Sequence, residues 1–256
     1  IDLEVTGGVA TLTMNRPDKH NAINLAMWQA FATLLPPLAA DPLVDLLVIR
    51  GTPGGPFSAG ADVGEFRELR STPEPAAAYG EAVDAGEAAI ARFPKPTIAM
   101  IEGFAIGGGS QVALACDLRL CAPDSQFGIT PAKLGIVYPV ASTARLVDIV
   151  GPAWASWILF TGDLIDAPTA RRIGLVHEVC DDVVARTAEL AGTLGSRAQV
   201  SLMGAKALIA KVSRGERTVD DEVRQHYHHS LHSPEYAEGV DAFLTKRAAD
   251  FRAARG

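Results

Sequence analysis

Short, nearly continuous apolar runs alternate along the chain with longer segments of helical spacing. Val9–Met14 alternates as a half-buried strand after the hairpin-turn signal Gly7-Gly8. Residues 46–50 and 97–101 are short and apolar and read as further strands, and 117–121 and 175–179 as two more short ones. Between them lie helices. Residues 25–35 follow Asn24, an N-cap residue type, and Pro36-Pro37 is expected to stop or kink that helix. Residues 71–75 read as a mobile surface loop, and 76–93 as an Ala- and Glu-rich helix ended by Pro94-Lys95-Pro96. Residues 112–116 form a buried helix, 141–150 and 153–160 two more, and a short one begins near Pro168. Residues 181–194 and 199–212 are amphipathic, and 218–252 are helical and charge-rich. Strands separated by helices predict parallel pairing and an α/β core over 1–195. The stretch 196–256 has no strand signal and is expected to be a helical appendage, a lid over the site or a subunit contact.

Composition narrows the ligand. The net charge of −7 argues against a general nucleic-acid binder or a membrane-surface protein. An anionic ligand must then be held by local donors. Cys116, Cys121 and Cys180 sit in apolar runs without metal or redox spacing, which predicts buried thiols in a reducing, cytoplasmic setting. No signal peptide and no membrane-length apolar run is visible in the residues given.

The chemistry centres on Ile101-Glu102-Gly103-Phe104-Ala105-Ile106-Gly107-Gly108-Gly109-Ser110-Gln111. A strand runs into three glycines that open a helix. The first N–H groups of a helix have no intrahelical acceptor, and the helix dipole is positive there. With no side chains in the way, such a place suits an anion or a developing oxyanion. A tight turn with close helix–strand packing is the plainer reading of the same glycines. Val112 stands where a dinucleotide loop needs its third glycine, so that motif fails. Ser58, Ser110 and Ser142 carry no Ser-His-Asp signature. His226, His228, His229 and His232 crowd one helical stretch, and His228 and His232 share a face at i,i+4, but no carboxylate accompanies them as in a His-Glu-x-x-His site. No metal site is expected.

Taken in order, the loops resemble the crotonase, or enoyl-CoA hydratase/isomerase, superfamily. Asn15-Arg16-Pro17-Asp18-Lys19-His20-Asn21-Ala22 is similar to its first coenzyme A loop, and Phe57-Ser58-Ala59-Gly60-Ala61-Asp62-Val63 to its first oxyanion loop. Residues 103–117 resemble the second oxyanion loop, 159–176 a later helix–strand unit, and 238–247 a C-terminal motif. The resemblance implies a ββα-spiral fold, homotrimers or dimers of trimers, and acyl-CoA substrates, with coenzyme A entering as part of the thioester and no permanent cofactor. It implies a thioester oxygen held between the N–H groups of Ala61 and Gly108, with Ala59, Gly60, Asp62 and Val63 beside it. Lys19, His20 and Ala22 would flank the adenine end, and Lys246 would meet coenzyme A phosphates, in its own subunit or across a subunit boundary.

Two positions depart from that pattern. Hydratases of the superfamily use a pair of glutamates as base and acid. The first belongs where Gln111 stands, and an amide cannot shuttle protons. The second falls on Pro131 when residues 127–135 are counted without a gap. Thr130-Pro131 followed by Tyr138 resembles instead the methylmalonyl-CoA decarboxylase branch, whose histidine and glutamate are replaced here by Ala61 and Gln111. Decarboxylation needs no base, and Thr130 and Tyr138 could hold the leaving carboxylate or relay a proton. The alternatives are a non-catalytic acyl-CoA binder, or a hydratase or isomerase with a relocated carboxylate such as Glu65 or Glu68.

Overall fold

A computed structural model describes residues 1–256. The strands are β1 (Asp2–Thr6), β2 (Val9–Met14), β3 (Leu46–Gly51), β4 (Thr97–Ile101), β5 (Phe104–Ile106), β6 (Leu118–Cys121), β7 (Gln126–Gly128), β8 (Ile165–Asp166) and β9 (Glu178–Val179). The helices are α1 (Leu25–Ala40), α2 (Phe66–Leu69), α3 (Pro73–Ala91), α4 (Gly108–Ala115), α5 (Val140–Thr161), α6 (Ala167–Arg172), α7 (Val183–Gly195), α8 (Gln199–Ser213), α9 (Asp221–Leu231), α10 (Pro234–Thr245) and α11 (Phe251–Arg255). One sheet runs β1-β2-β3-β4-β6-β9, and a smaller one β5-β7-β8. Only the β1–β2 hairpin is antiparallel in the first sheet, and the other four pairings are parallel. Parallel neighbours need crossovers, which the intervening helices supply.

The apolar strands are continuous because they divide their side chains between two cores. Leu47, Ile49, Ala99 and Ile101 face the larger core with Trp28 and Phe31 of α1. Leu46, Val48, Ile98 and Met100 face a smaller one with Val183 and Ala191 of α7. A strand covered on both faces loses the alternation of a half-exposed one.

Three local expectations need correcting. α1 runs through Pro36 and Pro37 to Ala40, with its Asn24 cap accepting from Met27 N at 3.0 Å. Both prolines lie on the exposed face, where the carbonyls they leave unbonded meet water, while Leu35 and Leu38 anchor the buried face. The supposed loop 71–75 is already helix from Pro73, since a proline in the first helical turn carries the right φ and gives up no needed donor. Residues 218–252 are three helices, with Lys246 in left-handed geometry (φ 58°) after α10. The two helices expected over 141–150 and 153–160 are both present, as the two halves of α5, separated at Gly151, whose φ of 75° is not helical.

After Val179 the chain is purely helical. These helices are tied to the core by Lys206 Nζ to Asp117 Oδ2 (2.6 Å) and to Lys95 O (3.0 Å), and by Arg255 to Asp45 (2.7 Å).

Candidate active site

The two glycine-containing loops lie side by side. Ser58 N donates to Phe104 O at 2.9 Å, and Ile106 N donates back to Ser58 O at 3.0 Å. Ser58 Oγ, fully buried, donates to Asn21 O (2.8 Å) and accepts from Gly60 N (3.1 Å). Ile23 N bonds Gly60 O, and Asp62 N bonds Ile23 O. Every neighbour of Ala61 is therefore held, while the Ala61 N–H has no protein acceptor. Gly108 opens α4, where N–H groups lack intrahelical partners. Gly60 has φ +104°, and a Cβ on it would stand 2.8 Å from Ile106 O. A Cβ on Gly108 would stand 3.2 Å from Ala61 N, so the two free donors border one small space.

That space opens into a pocket of about 360 Å³. Its lining brings together Ala59, Gly60, Ala61, Val63, Gly108, Gln111, Thr130, Pro131 and Tyr138 with Trp28, Phe66, Arg70, Tyr79 and Asp84. The charged side chains in this lining are Arg70 and Asp84, and no glutamate reaches it. No residue after Pro139 lines it, so the C-terminal helices form no lid over the pocket of their own chain.

Behind Gln111 lies a buried polar cluster. Gln111 Nε2 donates to Ser142 Oγ at 2.9 Å and to Glu87 Oε2 at 3.3 Å. Ser142 Oγ donates to the same Glu87 oxygen at 2.7 Å, and Arg145 pairs with Glu87 Oε1. Glu87 is 2 % exposed. A carboxylate accepts only, so it fixes the amide of Gln111 with nitrogen inward and leaves the carbonyl oxygen for the pocket side. Tyr138 lies with part of its ring exposed and its hydroxyl buried without a hydrogen-bond partner. Burial first, and the Glu87 charge second, push its ionisation far above the usual phenol range, so it stays protonated. Its hydroxyl is thus a fixed neutral donor enclosed by the protein, not a group standing open to the pocket.

The first coenzyme A-like loop is braced against the oxyanion loop. Arg16 donates to Ala22 O and Asp62 Oδ2, each at 2.8 Å, and Asn21 accepts from Arg16 N while donating to Pro56 O. The hydrogen bond from Arg16 holds the Asp62 carboxyl below its ordinary range, with help from Gly64 N–H against the opposing effect of burial. Lys19 and His20 are exposed beside this brace, and Ala59 N donates to His20 O. Lys19, His20, Ala22 and Asp62 adjoin the pocket without lining it, and Lys246 lies exposed beyond α10, away from the pocket of its own chain.

Glu65 and Glu68, the candidate relocated carboxylates, lie outside the pocket lining. Glu65 accepts from Leu25 N at the start of α1, which commits it to holding that helix, and Glu68 is exposed; neither lines the pocket. His228 and His232 stack at 4.0 Å between ring centroids, and no cluster of three metal-ligating side chains exists.

Sequence reading missed Glu87, Arg70, Asp84 and the Arg16–Asp62 brace. Glu87 left a signal: Tyr79, Val83 and Glu87 recur every four residues on the buried face of α3, and a charge on an apolar stripe asks for a partner.

This constellation of paired loops, free N–H donors and enclosing helices is that of the crotonase superfamily, and the chain belongs to it: the Enoyl-CoA hydratase/isomerase family model matches residues 4–254. A crotonyl-CoA hydratase of Syntrophomonas wolfei is 33% identical over 257 residues, spanning 98% of this chain and 97% of the relative. A carnitinyl-CoA dehydratase of Salmonella typhi is 33% identical over 97% of this chain and 96% of its own. The crystal structure of an enoyl-CoA hydratase/carnithine racemase from Magnetospirillum magneticum superposes with a TM-score of 0.93 at 34% identity, covering 97% of this chain and 94% of that one. No helix is long and apolar enough to cross a membrane.

Proposed function

We propose that the protein acts on an acyl-CoA thioester, stabilising an enolate oxygen between the N–H groups of Ala61 and Gly108, and that its favoured reaction is decarboxylation of a malonyl-type thioester. The observation that carries this reading is the pair of unpaired donors facing a pocket that lacks the glutamate pair. Each such donor is worth on the order of 3 kcal/mol once charge develops on the oxygen. In decarboxylation the bond from the α-carbon to the carboxylate breaks, and its electron pair becomes the enolate. Carbon dioxide leaves, and water or the Thr130 hydroxyl returns a proton to carbon. No base is required, which suits Gln111 and Pro131. Tyr138, whose hydroxyl is enclosed, acts by shaping the pocket wall and the cluster behind Gln111.

Coenzyme A enters with the substrate, met by the loop carrying Lys19, His20 and Ala22, and by Lys246 of a neighbouring subunit in a homotrimer or dimer of trimers. Exposed Phe160, Phe243 and Leu244 suit such contacts. Light scattering on the purified protein checks the assembly. The cytoplasm suits the buried thiols and the coenzyme A substrate.

One observation favours a second reading: Asp84 is a carboxylate in the pocket lining, and it is the acid or base to test for hydration or isomerisation. A thioester panel decides. Turnover of malonyl-CoA or methylmalonyl-CoA with none on crotonyl-CoA supports decarboxylation. Crotonyl-CoA hydration lost in Asp84→Asn supports the second reading. Binding without turnover on any thioester leaves a non-catalytic acyl-CoA binder.

A further inference from the structure

We infer that Arg70 is the receptor for a carboxylate carried on the acyl group, and so sets the substrate class as monothioesters of dicarboxylic acids. This rests on the acyl-CoA reading of the pocket. Arg70 follows α2 and its guanidinium lies 3.9 Å over the Phe66 ring and 4.8 Å from the Tyr79 ring centroid. It is half-buried in the pocket lining, yet it makes no ion pair, and its polar contact is with the neutral Tyr79 hydroxyl.

The other arginines near the site are committed. Arg16 pairs with Asp62, and Arg145 with Glu87. Asp84, the pocket's other charge, is exposed and forms no pair with Arg70. The two rings, set edge to face at 75°, hold the guanidinium, and no carboxylate takes its N–H edge. A planar fork of donors on an aromatic bed is the geometry that accepts a carboxylate bidentately. Trp28, whose Cζ2 would lie 3.3 Å from a Cβ on Gly108, also lines this pocket, with its buried Nε1 unpartnered. Trp28 Nε1 is enclosed beside Tyr79 and does not open to an acyl chain, so the pocket's one cation, which has no ion-pair partner, is the group left to meet a charge.

The carboxylate has two chemical sources: the α-carboxylate of a malonyl-type group, or the far end of a longer dicarboxylic chain. The test is equilibrium binding of malonyl-, glutaryl- and adipyl-CoA beside acetyl-, pentanoyl- and hexanoyl-CoA, on wild type, Arg70→Met and Arg70→Lys. Methionine keeps the apolar contact with Phe66 and Tyr79 and removes the charge. The expected result is a preference of about tenfold or more for at least one carboxylated thioester over its neutral counterpart. Arg70→Met abolishes that preference while neutral thioesters bind as before, and Arg70→Lys keeps part of it. A gap at malonyl-CoA places the carboxylate on the α-carbon; a gap at glutaryl- or adipyl-CoA places it at the far end. Equal binding of charged and neutral chains by wild type, or a gap that survives in Arg70→Met, overturns the inference and leaves the acyl-CoA reading standing. Failure of every thioester to bind overturns both.

Discussion

Gly108→Ala tests the oxyanion space directly. The added methyl would stand 3.2 Å from Ala61 N, 3.3 Å from Trp28 Cζ2 and 3.4 Å from Gly60 C. It occupies the volume that a thioester oxygen must enter to meet the two donors. Folding tolerates it, because Gly108 lacks positive φ and these contacts need a shift of a few tenths of an ångström. Alanine gains up to about 1 kcal/mol over glycine in a helix, which offsets the crowding. Stability should therefore change by no more than about 1 kcal/mol. Catalysis should not survive so well: losing one donor costs about 100- to 1000-fold in kcat, and displacing the oxygen from both costs more. Affinity for the coenzyme A portion should stay within about threefold, since those loops are untouched, so the loss belongs to kcat. The assay is steady-state turnover of whichever thioester the panel identifies, with thermal denaturation as the fold control. A second readout is independent of turnover. The infrared carbonyl stretch of a bound, carbon-13-labelled acyl-CoA should lie lower than in water for wild type and return toward the water value in the variant. A folded Gly108→Ala protein with kcat within tenfold of wild type and an unchanged carbonyl shift would refute the placement of the oxygen.

Three further outcomes follow from the same structure. Glu87→Ala strips the acceptor from Gln111, Ser142 and Arg145 at once, and should cost about 3 kcal/mol or more, read as a lower midpoint in urea; a loss under about 1 kcal/mol would mean that water replaces the carboxylate freely. The lowered Asp62 carboxyl contributes stability that is fully present above its unfolded value near 3.8 and lost as pH falls through its lower folded value. Denaturation followed from pH 5 down should show a smaller acid-dependent loss in Asp62→Asn than in wild type, and identical slopes would dismiss the Arg16 brace. Burial pushes the Cys116 and Cys121 thiols up to about 12 and raises Cys180 as well. At pH 8 the native protein should release almost no colour from Ellman's reagent, against three equivalents in denaturant; rapid native labelling would show a thiol open to solvent.

What the sequence disclosed was whatever a local pattern can carry. The strands over 46–50 and 97–101 were visible because both faces are buried and all but Arg50 and Thr97 are apolar. The Asn24 cap and the glycines before α4 were visible because special backbone needs special residues. The small β5-β7-β8 sheet was not, since strands of two or three residues have no period and exist only through partners far along the chain. Glu65 read as a candidate relocated carboxylate because nothing local announces that it holds the start of α1, 40 residues earlier. Glu87 hid in an Ala-rich helix because Ser142 and Arg145, which make it tolerable, come 55 and 58 residues later. Arg70 resembled any surface arginine until the rings of Phe66 and Tyr79 were seen beneath it.

The contact between Gln111 and Glu87 also closes a route between chemistries. Restoring a glutamate at 111 by one substitution would set two carboxylates where an amide now donates across 3.3 Å. Such a pair shares one proton, so neither member is free to serve as an independent base near neutral pH. Glu87 would have to be neutralised as well, and then Arg145 would be left with a charge and no partner. Three positions on three helices are thus bound into one choice: a working glutamate at 111 comes only by changing them together, and the two-glutamate kind of chemistry would need Pro131 replaced as well.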